Sequence, residues 1–141
     1  MAKIQHQFIV SAVAEKVFEA FCTPQGLDSW WPLHSAGKPE KGNIYTFYFG
    51  PQYDWRASVI SVKPNRALTW QMTQAMEDWI PTRVGFRLQE KNGQTTVYFF
   101  HEGWQSANEH FRISNYCWGQ LLAGLKNYVE TGAIVPFEQR N

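Results

Sequence analysis

His101, Tyr45 and Asp54 are the side chains in this sequence that could move protons if they met. Imidazole titrates near neutral pH, and a phenol and a carboxylate complete the polar set that a cyclase or lyase would need inside a pocket. His101 shares a strand face with Val97 and Phe99, because side chains alternate along a strand. Its imidazole therefore points inward, either as a general base or as a histidine satisfied by a neighbouring side chain or carbonyl. Glu102 lies on the opposite face and cannot assist it. His6 points inward with Phe8 by the same alternation, and His34 follows a Trp-Pro break in a loop. No two histidines show ligand spacing, so no metal site is expected. Cys22 and Cys117 are far apart without a CxxC, which fits free thiols in a reducing compartment. The sequence carries no nucleophile elbow, phosphate loop or dinucleotide fingerprint, and "GNIYTFYFGP" lacks the glycines of a phosphate cradle. No catalytic residue is assigned, and no cofactor is implied.

Aromatic side chains make up 16% of the chain and include seven Trp, enough to line a core, a cavity or an interface. The segment "TPQGLDSWWPLH" sets Trp30 beside Trp31 and stops them with Pro32. Neighbours on a helix point about 100° apart, so one ring is expected to be buried and the other partly exposed, at the mouth of a pocket. Strand alternation turns Phe47, Trp55, Trp70, Met72, Phe86 and Phe99 inward. Around a cavity they form a soft wall for a flat or acyl ligand, with Trp118 and Leu122 on the facing helix. The interior is expected to be hollow. Trp79 and Trp104 are read as exposed aromatics available to a protein partner.

The elements that would position these residues are legible in order. Lys3 to Val10 alternates as a half-buried strand, and a helix follows over about Val13 to Cys22, with Ser11 as its N-cap. Thr23-Pro24 starts a second short helix. Strand signals run over Asn43–Phe49, Tyr53–Lys63, Ala67–Met72, Ile80–Gln89 and Gln94–His101, joined by short turns. Trp118, Leu121, Leu122, Leu125, Tyr128 and Val129 mark a long helix that begins after Asn108 and ends at Gly132. Each element has a single apolar face, so the predicted α+β architecture is a curved antiparallel sheet of about six strands wrapped around the long C-terminal helix.

Length and charge bound the function. The 141 residues make one domain, residues 1–141, able to bury roughly 70% of the surface of the unfolded chain. A net charge of +1 with no block of like charge leaves no footprint for nucleic acid. The first ten residues contain no apolar signal core, and no stretch reaches the roughly 18 apolar residues of a membrane span. The cytoplasm is the expected location.

In this order the pieces resemble a known family. Thr23-Pro24, Leu27 and Trp30-Trp31 follow the first helix. Val59, Val62, Pro64, Leu68 and Trp70 mark the middle hairpin, and Thr82, Val84 and Phe86 the next strand. Thr95, Val97 and Phe99 then lead into "HEGW", and Trp118, Leu122, Leu125, Tyr128, Glu130 and Gly132 close the pattern. Over Ile4 to Gly132 the sequence is similar to the START-like, helix-grip (SRPBCC) superfamily, in the branch named for the heat-shock protein 90 ATPase activator. The resemblance implies a helix-grip fold and a cavity between sheet and helix that holds a small hydrophobic molecule. Trp30, Trp31, His101, Trp118 and Leu122 would join the inward strand residues as its lining. The superfamily also includes co-chaperone domains and polyketide cyclases. Two alternatives therefore stay open: an interaction domain with a chaperone or a second copy as partner, and a cyclase- or lyase-type enzyme acting on an aromatic or polyketide-like substrate. The eukaryotic co-chaperone carries this domain behind another one, whereas this sequence starts at the first strand, so chaperone activation is not implied. Cys117 stands where the family commonly has Gly, a substitution expected to tighten the packing of the last helix.

Overall fold

A computed structural model describes residues 2–140. β1 (Ala2–Val10) buries Ile4 and Val10 on one face and pairs antiparallel with the last strand, Phe8 facing Val97 and Ile4 facing His101. Two short helices follow, α1 (Ala14–Cys22) and α2 (Pro24–Leu27). The remaining strands are β2 (His34–Ala36), β3 (Ile44–Tyr48), β4 (Asp54–Lys63), β5 (Ala67–Gln74), β6 (Arg83–Lys91) and β7 (Gln94–Trp104), and α3 (Glu109–Thr131) comes last. The sheet has seven antiparallel strands in the order β1-β7-β6-β5-β4-β3-β2.

That is one strand more than expected. β2 is only three residues long and pairs His34 with Tyr48, so His34 lies on an edge strand rather than in a loop. Three residues carry too little alternation to show in the sequence. The start of α1 also differs. Its N-cap is Val13, which makes no side-chain hydrogen bond; Glu90 Oε1 on β6 accepts from the Ala14 N–H instead, at 2.7 Å. Ser11 is held by its own backbone N–H, which donates to Glu130 Oε2 at 2.7 Å.

α2 forms for local reasons. Thr23 accepts from the Gly26 N–H at 3.0 Å and Pro24 occupies the first turn. Gly26 is required there by proximity, since a Cβ would sit 2.5 Å from the Glu19 carbonyl oxygen of α1. α3 is capped at its start by Asn108, which accepts from the Phe111 N–H, and it ends at Gly132 in the left-handed conformation with φ of 80°. Along α3 the buried residues are Ser114, Trp118, Leu122 and Leu125, one stripe at helical spacing laid against the concave face of the sheet. On that face the cross-strand neighbours Phe99 and Phe86, then Phe86 and Leu68, form one buried row; His101, Val84, Trp70 and Val59 form the next. This is the helix-grip arrangement.

Candidate ligand-binding cleft

His101 lies fully buried at the end of the second row. The Thr82 hydroxyl donates to the Trp79 carbonyl, which leaves its oxygen to accept from His101 Nε2–H at 2.8 Å. On the other side Trp118 Nε1–H donates to His101 Nδ1 at 3.0 Å. These partners assign the neutral Nε2–H tautomer and occupy the lone pair a general base would use. Burial, with a smaller contribution from His110, lowers the imidazole pKa to about 3. The polar set of the enzyme alternative does not assemble. Tyr45 is buried with its hydroxyl donated to the Cys22 carbonyl, and Asp54 is paired at the surface with Arg56 at 3.0 Å.

Trp30 and Trp31 are both buried, at 0% and 4% exposure, which corrects the expectation of one exposed ring. The helical angle does not apply to them, because α2 stops at Leu27 and both backbone N–H groups turn back onto the Leu27 carbonyl. Their rings stack instead, with centroids 6.0 Å apart and planes 24° from parallel. Trp30 Nε1 donates to the Ala20 carbonyl at 2.8 Å. Trp79 and Trp104 are also buried, not exposed. Trp79 folds inward on a single 3-10 turn (Glu77–Trp79), where its Nε1 donates to Ser114 Oγ at 3.3 Å. Trp104 turns inward because Gly103, with φ of 90°, breaks the alternation of β7.

The aromatic interior is packed rather than hollow. Phe21 stacks on Phe86 at 4.1 Å, Phe86 meets Phe99 at 5.2 Å, and Phe99 meets Trp118 at 4.5 Å. Trp30, Phe47, Trp70, Met72, Phe86, Phe99 and Leu122 belong to this core. The other sequence-derived residues, Trp31, Trp55 and Trp118, come together at one end of the sheet. There Trp31, Trp118, Trp79, Trp55 and Phe49 form a closed circle, with successive centroids 4.9, 5.9, 4.7, 5.0 and 5.9 Å apart. Above the circle opens a cleft of about 250 Å³. Ile113, Cys117 and Leu121 of α3 form its helical wall, and Phe137 and Arg140, from the segment after α3, form its lip. His110 and Ser114 complete the polar lining. His101 stands beneath the floor as a positioning residue, holding Trp118 directly and Trp79 through Thr82.

A histidine and an arginine border the cleft. His110 Nδ1 is 3.2 Å from Asp78 Oδ2. Arg140 donates from Nη1 to the Pro32 carbonyl at 2.7 Å and from Nε to the Val135 carbonyl at 2.8 Å. The Cys117 thiol is pushed up in pKa by burial, so it borders the cleft as a neutral group. A larger depression of about 540 Å³ lies between α1, α2 and the end of α3, but Lys16, Glu19, Gln25, Glu130 and Thr131 border it, and Tyr128 is the one aromatic among its lining residues.

Sequence reasoning missed the helical wall and the lip. Positions 110, 113, 114, 117, 118 and 121 recur at helical spacing, a stripe turned slightly from the fully buried one, so a second α3 face was legible. Nothing local marked Phe137 or Arg140.

The sequence profile described as Activator of Hsp90 ATPase homolog 1-like protein matches residues 11–130. The chain belongs to that family. Within the solved structures, the Aha1 dimer from Colwellia psychrerythraea is 30% identical, with a TM-score of 0.84 over 94% of this chain and 98% of that one. Protein SSP2350 from Staphylococcus saprophyticus is 20% identical, with a TM-score of 0.80 over 95% and 96% of the two chains. DynU16, from the dynemicin biosynthetic locus, is 20% identical, with a TM-score of 0.80 over 94% of this chain and 48% of its own. The last two likenesses establish the fold alone. No curated protein matches the chain. The Activator of Hsp90 ATPase homolog 1-like match ends at residue 130, so its span includes the aromatic floor and the helical wall but not the lip.

Proposed function

We propose that the chain binds a small apolar molecule in the cleft over the aromatic circle. The observation that carries this reading is the circle itself. Half-buried Phe49 and Trp55, backed by the buried rings of Trp31, Trp79 and Trp118 that the core and the His101 network hold in place, line an opening walled by α3, which is how small-molecule sites are built. Two thiols without a disulfide suit a reducing compartment, and we place the activity in the cytoplasm.

Cys117 supplies a built-in reporter of occupancy, since it borders the cleft while Cys22 is buried. Saturating N-phenyl-1-naphthylamine should slow alkylation of Cys117 by iodoacetamide at least about tenfold. An apolar ligand at a hundred times its Kd should add about 2.7 kcal/mol to the native state, a rise in Tm on the order of 8 °C. Unprotected Cys117, with no melting shift from fatty acids, aromatic acids or polyketide-like compounds, would leave the cleft without a ligand.

A second reading rests on the relative that forms a dimer. Ile113 and Tyr116 of α3 are 53% and 69% exposed beside the cleft, an apolar patch that a second copy could cover. Sedimentation equilibrium of the chain and of Tyr116→Asp measures it: a dimer that the substitution dissociates supports this reading, and a monomer at all concentrations ends it.

A further inference from the structure

We propose that the segment following α3 selects the ligand of the cleft, and that Arg140 makes the selected class a flat apolar molecule with an anionic head, a carboxylate or sulfonate. This rests on the cleft being the binding site.

The segment is built into the fold. Val135 N–H donates to the Ser29 carbonyl at 3.0 Å, which ties it to the loop that leads to the Trp pair. It then makes a 3-10 turn (Phe137–Gln139) that brings Phe137 and Arg140 to the cleft. These residues lie beyond the match to the family profile, which ends at residue 130.

The charge at the lip is the reason for the ligand class. Arg140 is half-buried, and its Nε and Nη1 are committed to backbone carbonyls that orient the guanidinium. Carbonyls satisfy donors but do not neutralise the cation. Among the described residues no carboxylate lies within ion-pairing distance of it; Asp28 and Glu138 act on it only from farther away. Asp28 is itself engaged, accepting from the Ser35 hydroxyl at 2.7 Å. An oriented guanidinium that pairs with no carboxylate of the described residues, at the edge of an aromatic floor, complements a carboxylate or sulfonate on a flat apolar body. His110 cannot take the same role as readily, because Asp78 is its partner.

The test compares two fluorescent probes with the same ring framework: 1-anilinonaphthalene-8-sulfonate, which is anionic, and N-phenyl-1-naphthylamine, which is neutral. Their Kd values are measured on the whole chain, with Cys117 protection confirming that each occupies the cleft. Arg140→Gln should shift the ratio of the two Kd values at least about tenfold against the anion, and Arg140→Lys, which keeps the charge, should retain most of the anion preference. Added salt should weaken only the anionic probe in the unsubstituted chain. Both probes protecting Cys117 with an unchanged ratio in Arg140→Gln overturns the proposal and leaves the cleft reading standing. An equal loss of preference in Arg140→Lys also overturns it, because charge is then not the cause. If neither probe protects Cys117, the cleft reading fails and this proposal fails with it.

Discussion

Neutral His101 is held between one group that accepts and one that donates, and protonation would turn its Nδ1 toward the Trp118 N–H as a second donor. That conflict gives stability a defined pH dependence. The folded pKa of about 3 lies below the ordinary value of 6.5, so in that window the unfolded chain holds a proton that the folded chain refuses. Stability from this residue is therefore complete above pH 6.5 and falls as pH drops toward 3, by roughly 1.4 kcal/mol per pH unit. Urea denaturation at several pH values should show this component in the unsubstituted chain and not in His101→Gln. Equal slopes in the two proteins would mean that His101 is not the group responsible. The two cysteines differ at the same scale. Cys22 is 3% exposed, with its pKa pushed up to about 12, whereas Cys117 reaches the cleft. Mass spectrometry after brief alkylation of the native protein should find the label on Cys117, and label on Cys22 first would contradict the burial.

Among the elements, α2 is short enough to depend on its cap, since isolated short helices are not stable. Replacing Thr23 with Ala removes the acceptor for the Gly26 N–H and should cost about 1 kcal/mol by chemical denaturation. The cost should also reach the cleft, because α2 launches the turn that carries Trp31 into the aromatic circle. Unchanged stability in Thr23→Ala would show that Pro24 and packing hold the turn without the cap. α1 gives the opposite case. Its expected cap, Ser11, sits before the element, while Glu90 on a distant strand supplies the contact, so no local pattern could have revealed it.

Across the whole molecule, the packed centre and the open cleft predict different responses to truncation. Phe99 touches Phe86 and Trp118 and is 2% exposed, so Phe99→Ala should cost about 3 to 5 kcal/mol through lost transfer energy and a new cavity. Trp55 is half-buried at the rim, so Trp55→Ala should cost less stability than Phe99→Ala and weaken probe binding more. If the two variants melt alike, the division into core and cleft is mistaken.

The sequence by itself determined the order of the longer elements, the inward faces of most strands, the Thr23 cap of α2 and the glycine that ends α3, because periodicity and capping are properties of neighbouring residues; the helix-grip family was legible as a resemblance. It also placed His101 inward and identified Trp31, Trp55 and Trp118 among the ligand-facing candidates. Only the tertiary structure decided that most of the inward aromatics pack solidly, that Trp30 and Trp31 lie together, and that Trp79 and Trp104 are covered. It alone brought Phe137 and Arg140 to the lip. Alternation reports which face a side chain occupies but not whether a ring from a distant element fills the space above it, and that filling separates a core from a site.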